Sequence, residues 1–498
     1  MGIIARQSFK ASISNYLGIL LGFLSLFLLF PKFYTPHDLG AIRLLLETGA
    51  VLSSFALLGT NYSINRFFPY FKTEDKRHNG FFFWAFMIPL VGFALVFTGL
   101  IWFEKPLLAL FGKDASILES LYPPLLLLVF FSLFQVVLET CNSNHGRIAV
   151  SNFLREVVLR CIILAAGTLF FLNYIDFITS VWIMVCAYGI IVIFNFIYLR
   201  TLTDIHLIPD FNFMRKNKEL GKDALRFTAF LFIGGVTTLV VGKIDFLMIS
   251  AKKGLTDTAI YSVGYYLAIM IEIPKRTILQ VAAPIISQKM KDGNKKEVHH
   301  IYRSITLNQL LAASLIFFFI WLNIDNLFQI MPKGEIFKAG KMVIFIMGLG
   351  RLLDMVGSAG GPIIANSKYY YFSLINFLIS LVVAIGANLL LIPILGINGA
   401  ALATVFTFLL SNGTLIWIIY IKEGFHPFSS NHLKIMLVLS VFLIPTYFGK
   451  WLENPFLDGI VRTVVLGIPF LWICYKWKIS EDFNKLLDKG LKMLKKSN

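Results

Sequence analysis

The chain has 498 residues, of which 57% are hydrophobic and 15% are charged, and its formal net charge is +17. Soluble domains are about 45–50% apolar and about 25% charged, so this composition excludes a series of soluble domains. The apolar residues come in blocks of about 20, the length that crosses a bilayer core. Because the basic residues lie mostly in short loops between these blocks, we assign them to lipid headgroups and membrane topology rather than to nucleic acid.

Hydropathy windows of about 19 residues predict fourteen membrane spans. Numbered 1 to 14 in chain order, the spans lie near 12–33, 41–68, 80–102, 118–140, 149–172, 177–199, 224–250, 259–287, 303–323, 340–365, 369–392, 398–421, 433–451 and 457–475. An even number of spans places both termini on one side. Segments on that side carry 26 lysines and arginines against 10 on the opposite side, which predicts cytoplasmic termini.

Matching residues recur about 219 positions apart, which indicates a duplication. Asp38, Lys72, Lys76 and Arg77 correspond to Asp257, Lys291, Lys295 and Lys296, and the tripeptide at 152–154 recurs at 376–378. We therefore predict an all-α polytopic membrane protein in which two six-helix lobes form a parallel repeat followed by two extra helices. The predicted divisions are an N-terminal lobe at 1–210, a C-terminal lobe at 211–425, and spans 13 and 14 with a basic cytoplasmic tail at 426–498. In transporters built from repeats, the substrate site lies at the repeat interface near mid-membrane.

Motifs for chemistry are missing from the sequence. It contains no GxxxxGK[ST], HExxH or GxSxG, and no predicted loop exceeds about 25 residues. Neither its cysteines nor its histidines have the spacing of a metal site, so we expect no metal and no cofactor. These features favour transport over enzymatic activity. The tail at 476–498 is either an amphipathic helix on anionic lipid or a solvated basic segment.

Charged residues within the predicted spans are the candidate site. Each costs about 2.5–3.5 kcal/mol at the bilayer centre unless it has a partner or a wet cavity. The basic candidates for binding an anionic substrate are Arg43, Arg160, Lys243, Lys275 and Arg351. The acidic candidates for binding a driving ion or orienting those bases are Glu47, Asp245, Glu272 and Asp354. Arg43 and Glu47 lie four residues apart on span 2, and Arg351 and Asp354 lie three apart on span 10, so helical spacing predicts each pair to be neighbours. The alternative is that these residues only form interhelical ion pairs, and we assign Glu139, Arg155 and Glu156 to such structural or snorkelling roles.

Helix-breaking residues lie beside several of these charges. Pro274 follows Glu272, Pro123 and Pro124 are predicted to interrupt span 4, and the Gly- and Pro-containing segment 357–362 follows Arg351 and Asp354. Broken helices next to intramembrane charges are typical of transporter binding sites.

Two junctions resemble those of bacterial polysaccharide flippases. The sequence at 388–393 followed by 396–404 is similar to their span 11–12 junction. Lys243-Ile244-Asp245, with Asp257 and the sequence at 259–263, is similar to their span 7–8 junction. Together with the two six-helix lobes and the extra pair, the resemblance covers essentially the whole chain. These flippases belong to the multidrug/oligosaccharidyl-lipid/polysaccharide exporter superfamily.

The resemblance implies a transporter that moves an undecaprenyl-pyrophosphate-linked oligosaccharide from the inner to the outer leaflet by alternating access, driven by an ion gradient. It implies the bacterial inner membrane as the location, and membrane lipids, a polysaccharide polymerase and other glycan-assembly proteins as partners. Span 1 lacks both the acidic residue typical of multidrug exporters and the arginines typical of lipid II flippases. Those two functions remain open as alternatives, as does a membrane enzyme of glycan assembly.

Overall fold

The computed structural model of the protein describes residues 3–73 and 78–496, so Lys76 and Arg77 of the predicted repeat lie outside the described residues. Over the described residues the chain is helical between short turns and contains no strand. Eleven of the described helices are long and apolar enough to cross a membrane. The prediction of an all-α polytopic membrane protein is confirmed.

Spans 5, 8 and 13 are the predicted spans that do not correspond to one of these eleven helices. Span 5 carries three charged residues and contains a π-helical turn, Leu154–Val158. Span 8 is divided at Glu272 into Leu255–Ile271 and Ile273–Lys291. Span 13 is a short helix, Ser430–Leu443, that tightens into a 3₁₀ turn. Helices of the structure therefore account for all fourteen predicted spans.

The chain forms two compact units, Met1–Ala259 and Ile260–Asn498. The described helices of the first unit are Ile3–Leu24, Ser25–Leu29 (π), Phe30–Phe33, Pro36–Ala56, Thr60–Phe71, His78–Gly80 (3₁₀), Phe81–Ala109, Gly112–Asp114 (3₁₀), Ala115–Asn144, Ile148–Phe153, Leu154–Val158 (π), Leu159–Phe171, Phe177–Leu202, Phe211–Lys216 and Lys218–Lys253. The boundary between the units falls inside Leu255–Ile271. The predicted divisions at 210 and 425 stay predictions.

Span 2 begins with a capping box and is then broken, which the sequence pattern did not reveal. Thr35 accepts a hydrogen bond from the backbone of Asp38, and the Asp38 carboxylate accepts one from the backbone of Thr35. The helix stops at Ala56 and resumes at Thr60 after Leu58 and Gly59, both of which have positive φ. A left-handed residue cannot continue an α-helix, so the chain changes direction inside the span.

The described helices of the second unit, after Leu255–Ile271, are Ile273–Lys291, Lys295–Leu322, Ile324–Ile330, Gly334–Phe337, Lys338–Gly340 (3₁₀), Lys341–Gly357, Gly360–Ala365, Tyr371–Leu395, Ile397–Glu423, Ser430–Leu443, Ile444–Phe448 (3₁₀), Pro455–Lys476 and Glu481–Lys496. The last helix begins against Lys295–Leu322, because the Asp482 carboxylate accepts hydrogen bonds from Ser304 and Asn308. Within the described residues, the predicted tail is helical from Glu481 to Lys496.

The predicted helix breaks have mixed outcomes. The break at Glu272, before Pro274, is confirmed, and so is the one in 357–362, where a helix ends at Gly357 and the next begins at Gly360. The interruption of span 4 is wrong, because Ala115–Asn144 runs through Pro123 and Pro124 as one helix. Transmembrane helices tolerate proline where neighbouring groups satisfy the freed backbone.

Candidate functional site

The break in span 8 places a carboxylate between two arginines. Glu272 Oε2 lies 2.6 Å from Nη1 of Arg351, and its Oε1 lies 3.3 Å from Nε of Arg276. The two arginines differ in environment, because the Arg351 side chain is 9% exposed and that of Arg276 is 66% exposed. Sequence reasoning paired Arg351 by helical spacing with Asp354, whereas its closest carboxylate comes from span 8.

A second ion pair joins the same two helices. Lys275 Nζ lies 2.5 Å from Oδ2 of Asp354, and Asn412 Nδ2 donates to Oδ1 of Asp354 at 2.9 Å. Asn412 approaches closely because Gly357 has no side chain there, and a Cβ at Gly357 would overlap the amide. Both oxygens of this buried carboxylate therefore have partners.

The cluster formed by Glu272, Lys275, Arg276, Arg351 and Asp354, called here the Arg351 cluster, contains three cations and two carboxylates. Arg351 also stacks over Phe408, whose ring centre is 4.8 Å from its guanidinium carbon. Its Nε is buried and has no hydrogen-bond partner among the described residues. The cluster thus has excess positive charge and an unused donor, which suits an anionic ligand.

The first unit has its own buried ion pair between spans 2 and 7. Lys243 Nζ lies 2.7 Å from Oε2 of Glu47, whose side chain is 6% exposed. Asp245, two residues further along span 7, is buried. Arg43 is one helical turn before Glu47, and Tyr188 in span 6 lies near Arg43, Glu47 and Arg160. Helical spacing predicts Arg43 as a neighbour of Glu47 but does not reveal the contact of Glu47 with Lys243 on span 7.

Arg160 belongs to a chain of charges on span 5 that continues to span 4. Its Nη2 lies 2.8 Å from Glu156, whose other oxygen is 3.1 Å from Nε of Arg155. Arg155 then reaches Glu139 at 2.6 Å. Arg160 also donates to the backbone carbonyl of Gly18 in span 1. The π-helical turn at Leu154–Val158 carries two of these residues, and such turns occur frequently at functional sites.

Two glycines one helical turn apart in span 1 make room for this chain of charges. A Cβ at Gly18 would overlap the Glu156 side chain, and a Cβ at Gly22 would overlap Nη1 of Arg160. Small residues at this spacing allow transmembrane helices to approach closely. The one charged residue within span 1 (12–33) is Lys32, near the end of the span, so at Gly18 and Gly22 the span supplies space rather than charge to the site.

We expect Gly22→Val to lower the melting temperature of the purified protein, because the Arg160 guanidinium would have to move and would lose its hydrogen bonds to the Gly18 carbonyl and to Glu156. A hydrogen bond to a charged group contributes about 1.5–3 kcal/mol. Gly99→Val is the matched control, since a Cβ at Gly99 meets nothing within 4 Å. Thermal unfolding of both variants in the same detergent measures the difference. Equal melting temperatures would contradict the proposed close contact with Arg160.

Charged side chains paired inside the spans of a polytopic helical protein are typical of membrane transporters. Two solved transporter structures have the same fold. The lipid II flippase MurJ, in an inward closed conformation, is similar with a TM-score of 0.69 at 14% identity, covering 96% of this chain and 100% of that one. An inward-facing multidrug resistance MATE family transporter of the MOP superfamily is similar with a TM-score of 0.59 at 13% identity, covering 90% and 100%.

A sequence relative and a family model extend this comparison. The uncharacterized membrane protein MJ1068 of Methanocaldococcus jannaschii is 23% identical over 483 residues, which are 90% of this chain and 92% of the relative. The model of the polysaccharide biosynthesis protein family matches residues 4–290. The chain belongs to this family, and the membership that its two junction sequences predicted is confirmed.

Proposed function

We propose that the protein moves an undecaprenyl-pyrophosphate-linked oligosaccharide from the inner to the outer leaflet during polysaccharide or lipopolysaccharide biosynthesis, without making or breaking a covalent bond. The observation that carries the proposal is the Arg351 cluster, in which three cations meet two carboxylates on spans 8 and 10. Membership of the polysaccharide biosynthesis family supports the class of substrate.

A pyrophosphate fits the chemistry of the proposed binding residues. Arginine forms charge-assisted, often bidentate hydrogen bonds with phosphate, and the unused Nε of Arg351 is available for one. Away from bulk water, such contacts are stronger than at an exposed surface. The proposed binding set consists of Arg43, Arg160, Lys243, Lys275 and Arg351.

The paired carboxylates suggest how an ion gradient would drive the cycle. Glu47 and Asp354 each contact a lysine. A proton or sodium ion that neutralised either carboxylate would release the lysine to bind pyrophosphate, and loss of the ion would reverse the exchange. We assign this coupling to Glu47, Asp245, Glu272 and Asp354, with alternating access of the predicted lobes at 1–210 and 211–425 as the conformational step.

The proposed location is the bacterial plasma membrane, with both termini in the cytoplasm. The excess of lysine and arginine on the side of the predicted termini supports this orientation. A polysaccharide polymerase and other glycan-assembly proteins are the proposed partners, because they act on the same lipid-linked glycan.

Reconstituted proteoliposomes test the function directly. A fluorescent undecaprenyl-pyrophosphate oligosaccharide is placed in one leaflet, and an impermeant quencher measures its movement under a proton gradient, a sodium gradient and neither. We expect faster movement than in protein-free liposomes. Transport of lipid II alone, gradient-driven efflux of an organic cation, or transfer of the glycan to another lipid would each contradict the proposal in favour of one named alternative.

A further inference from the structure

The second unit also contains a cleft lined by charged and polar residues. None of these residues belongs to the Arg351 cluster. The volume of the cleft is about 230 Å³, well above the roughly 30 Å³ that one water molecule occupies. Its walls are helix Ile324–Ile330, the short helices Gly334–Phe337 and Lys338–Gly340, and the segment from 449 into helix Pro455–Lys476. The polar residues that line it are Asp325, Gln329, Glu335, Lys338, Lys450 and Arg462, and the predicted topology places all these segments on the outer side.

Arg462 is buried in this cleft with few good contacts. The residue is 2% exposed. Its Nη1 lies 3.5 Å from Asp458, its Nη2 lies 3.4 Å from the Thr446 carbonyl, and its Nε has no partner among the described residues. Its guanidinium carbon also lies 5.9 Å from the ring centre of Trp451, near the outer limit of a cation–π contact. A buried guanidinium with only these long contacts retains much of its desolvation cost. A ligand that accepts hydrogen bonds would lower that cost.

Asp458 takes its short hydrogen bonds from groups other than Arg462. Its Oδ1 accepts backbone hydrogen bonds from Trp451 at 2.7 Å and Leu452 at 2.9 Å, and its Oδ2 accepts one from Asn326 at 2.6 Å. The carboxylate still offsets the charge of Arg462 across the 3.5 Å contact. The guanidinium nevertheless keeps hydrogen-bond donors, Nε among them, for another acceptor.

Other charges around the cleft leave it positive. Lys341 contacts both oxygens of Asp325, at 2.7 and 2.8 Å, and neutralises that carboxylate. Glu335 is 85% exposed and 3.8 Å from Lys338, so it acts weakly. Lys450 is exposed at the rim. With Asp458 included, four cations (Lys338, Lys341, Lys450 and Arg462) face three carboxylates (Asp325, Glu335 and Asp458), which leaves an excess of one positive charge.

We propose that this cleft binds a carboxylated sugar residue, such as a uronic acid, on the outer face of the protein. Arg462 and Lys450 would hold the carboxylate, and Gln329 would hydrogen-bond ring hydroxyls. Phe328, which also lines the cleft, offers an apolar surface to the ring. The volume exceeds what a bare oxyanion needs. The choice of a sugar rests on the proposed function, whereas the anion site rests on Arg462.

Calorimetric titration of the full-length protein in nanodiscs tests this site without any transport step. The probes are glucuronate, glucose and glycerol phosphate. We expect glucuronate to bind at least tenfold more tightly than glucose and more tightly than glycerol phosphate. Preference for glycerol phosphate would overturn the sugar in favour of a lipid headgroup, and equal binding of glucuronate and glucose would overturn the anion site.

Variants locate the binding. Arg462→Ala is expected to weaken glucuronate binding at least tenfold. Arg462 is buried, so Arg462→Ala can also reduce binding by misfolding. Lys450→Gln on the exposed rim avoids this difficulty, and we expect it to weaken glucuronate binding several-fold. Lys105→Gln, an exposed lysine of another predicted outer loop, is the control. Unchanged affinity in Lys450→Gln and in folded Arg462→Ala would overturn the proposal. Glucuronate binding by protein that fails the translocation assay would overturn the proposed function and leave the cleft intact.

Discussion

Arg351→Ala is expected to abolish translocation, whereas Arg276→Ala is expected to retain most of it. Both arginines contact Glu272, but only Arg351 is buried, and only its removal leaves a largely buried carboxylate without a comparable partner. We expect the initial rate for Arg351→Ala to fall at least about tenfold, in line with the high cost of unpaired charge inside a membrane. The quencher-based proteoliposome assay measures both variants at equal incorporation.

Removing one partner of a buried ion pair costs about 3–5 kcal/mol, so Arg351→Ala can lose activity by unfolding. The double variant Arg351→Met/Glu272→Gln separates the two causes, because it removes both charges and keeps the approximate volume. We expect it to recover the melting temperature and not the transport. Transport restored in the double variant would show that the pair only holds spans 8 and 10 together, and would contradict a role in binding pyrophosphate.

The span pattern was predictable because it depends on composition over about 20 residues. Among the described residues, eleven of the spans are helices with enough apolar length to be recognised without knowing their neighbours. The break at Leu58 and Gly59 was not predictable in this way, because a window of about 19 residues averages over a turn of two residues. At Pro123 and Pro124 the sequence predicted a break that the structure does not have. Proline normally interrupts a helix, but in a membrane protein neighbouring groups can satisfy the backbone carbonyls that it leaves without a hydrogen bond.

The charged residues of the site were predictable, but their partners were not. Helical spacing identifies neighbours on one helix, which suggested Arg43 with Glu47 and Arg351 with Asp354. In the structure the short contacts of Glu47 and Arg351 reach other helices, to Lys243 and Glu272 respectively. Packing between helices far apart in sequence decides those contacts.

Neutral residues were the part of the site that sequence reasoning missed. Asn412 donates to Asp354, and Gly18 and Gly22 leave room for Glu156 and Arg160. An asparagine or a glycine in an apolar span carries no charge by which it could be identified as a candidate site residue. The signal that was present is the spacing of Gly18 and Gly22, which is the small-residue pattern of closely packed transmembrane helices.

Each unit contains a lysine paired with a largely buried carboxylate, Lys243 with Glu47 and Lys275 with Asp354. Both pairs join two helices of the same unit. We use the Lys243–Glu47 pair to separate the effect of charge from that of packing.

Lys243→Met is expected to lower the melting temperature, because Glu47 would lose the lysine 2.7 Å away while remaining largely buried. Loss of one partner of a buried pair costs about 3–5 kcal/mol. The charge swap Lys243→Glu/Glu47→Lys restores an ion pair of similar total length across spans 2 and 7. We expect the swap to regain most of the lost thermal stability.

Transport is expected to stay low in the swapped variant, because exchanging the charges reverses the local field beside Arg43 and Tyr188 without changing the net charge. The control is the same swap at Lys222 and Glu219, an exposed pair 2.8 Å apart at the start of the same helix. An exposed pair contributes about 0–1 kcal/mol, so neither stability nor transport should change there. If the swap at Lys243 and Glu47 recovers both stability and the translocation rate, the pair serves only to join the two helices, and Lys243 leaves the proposed binding set.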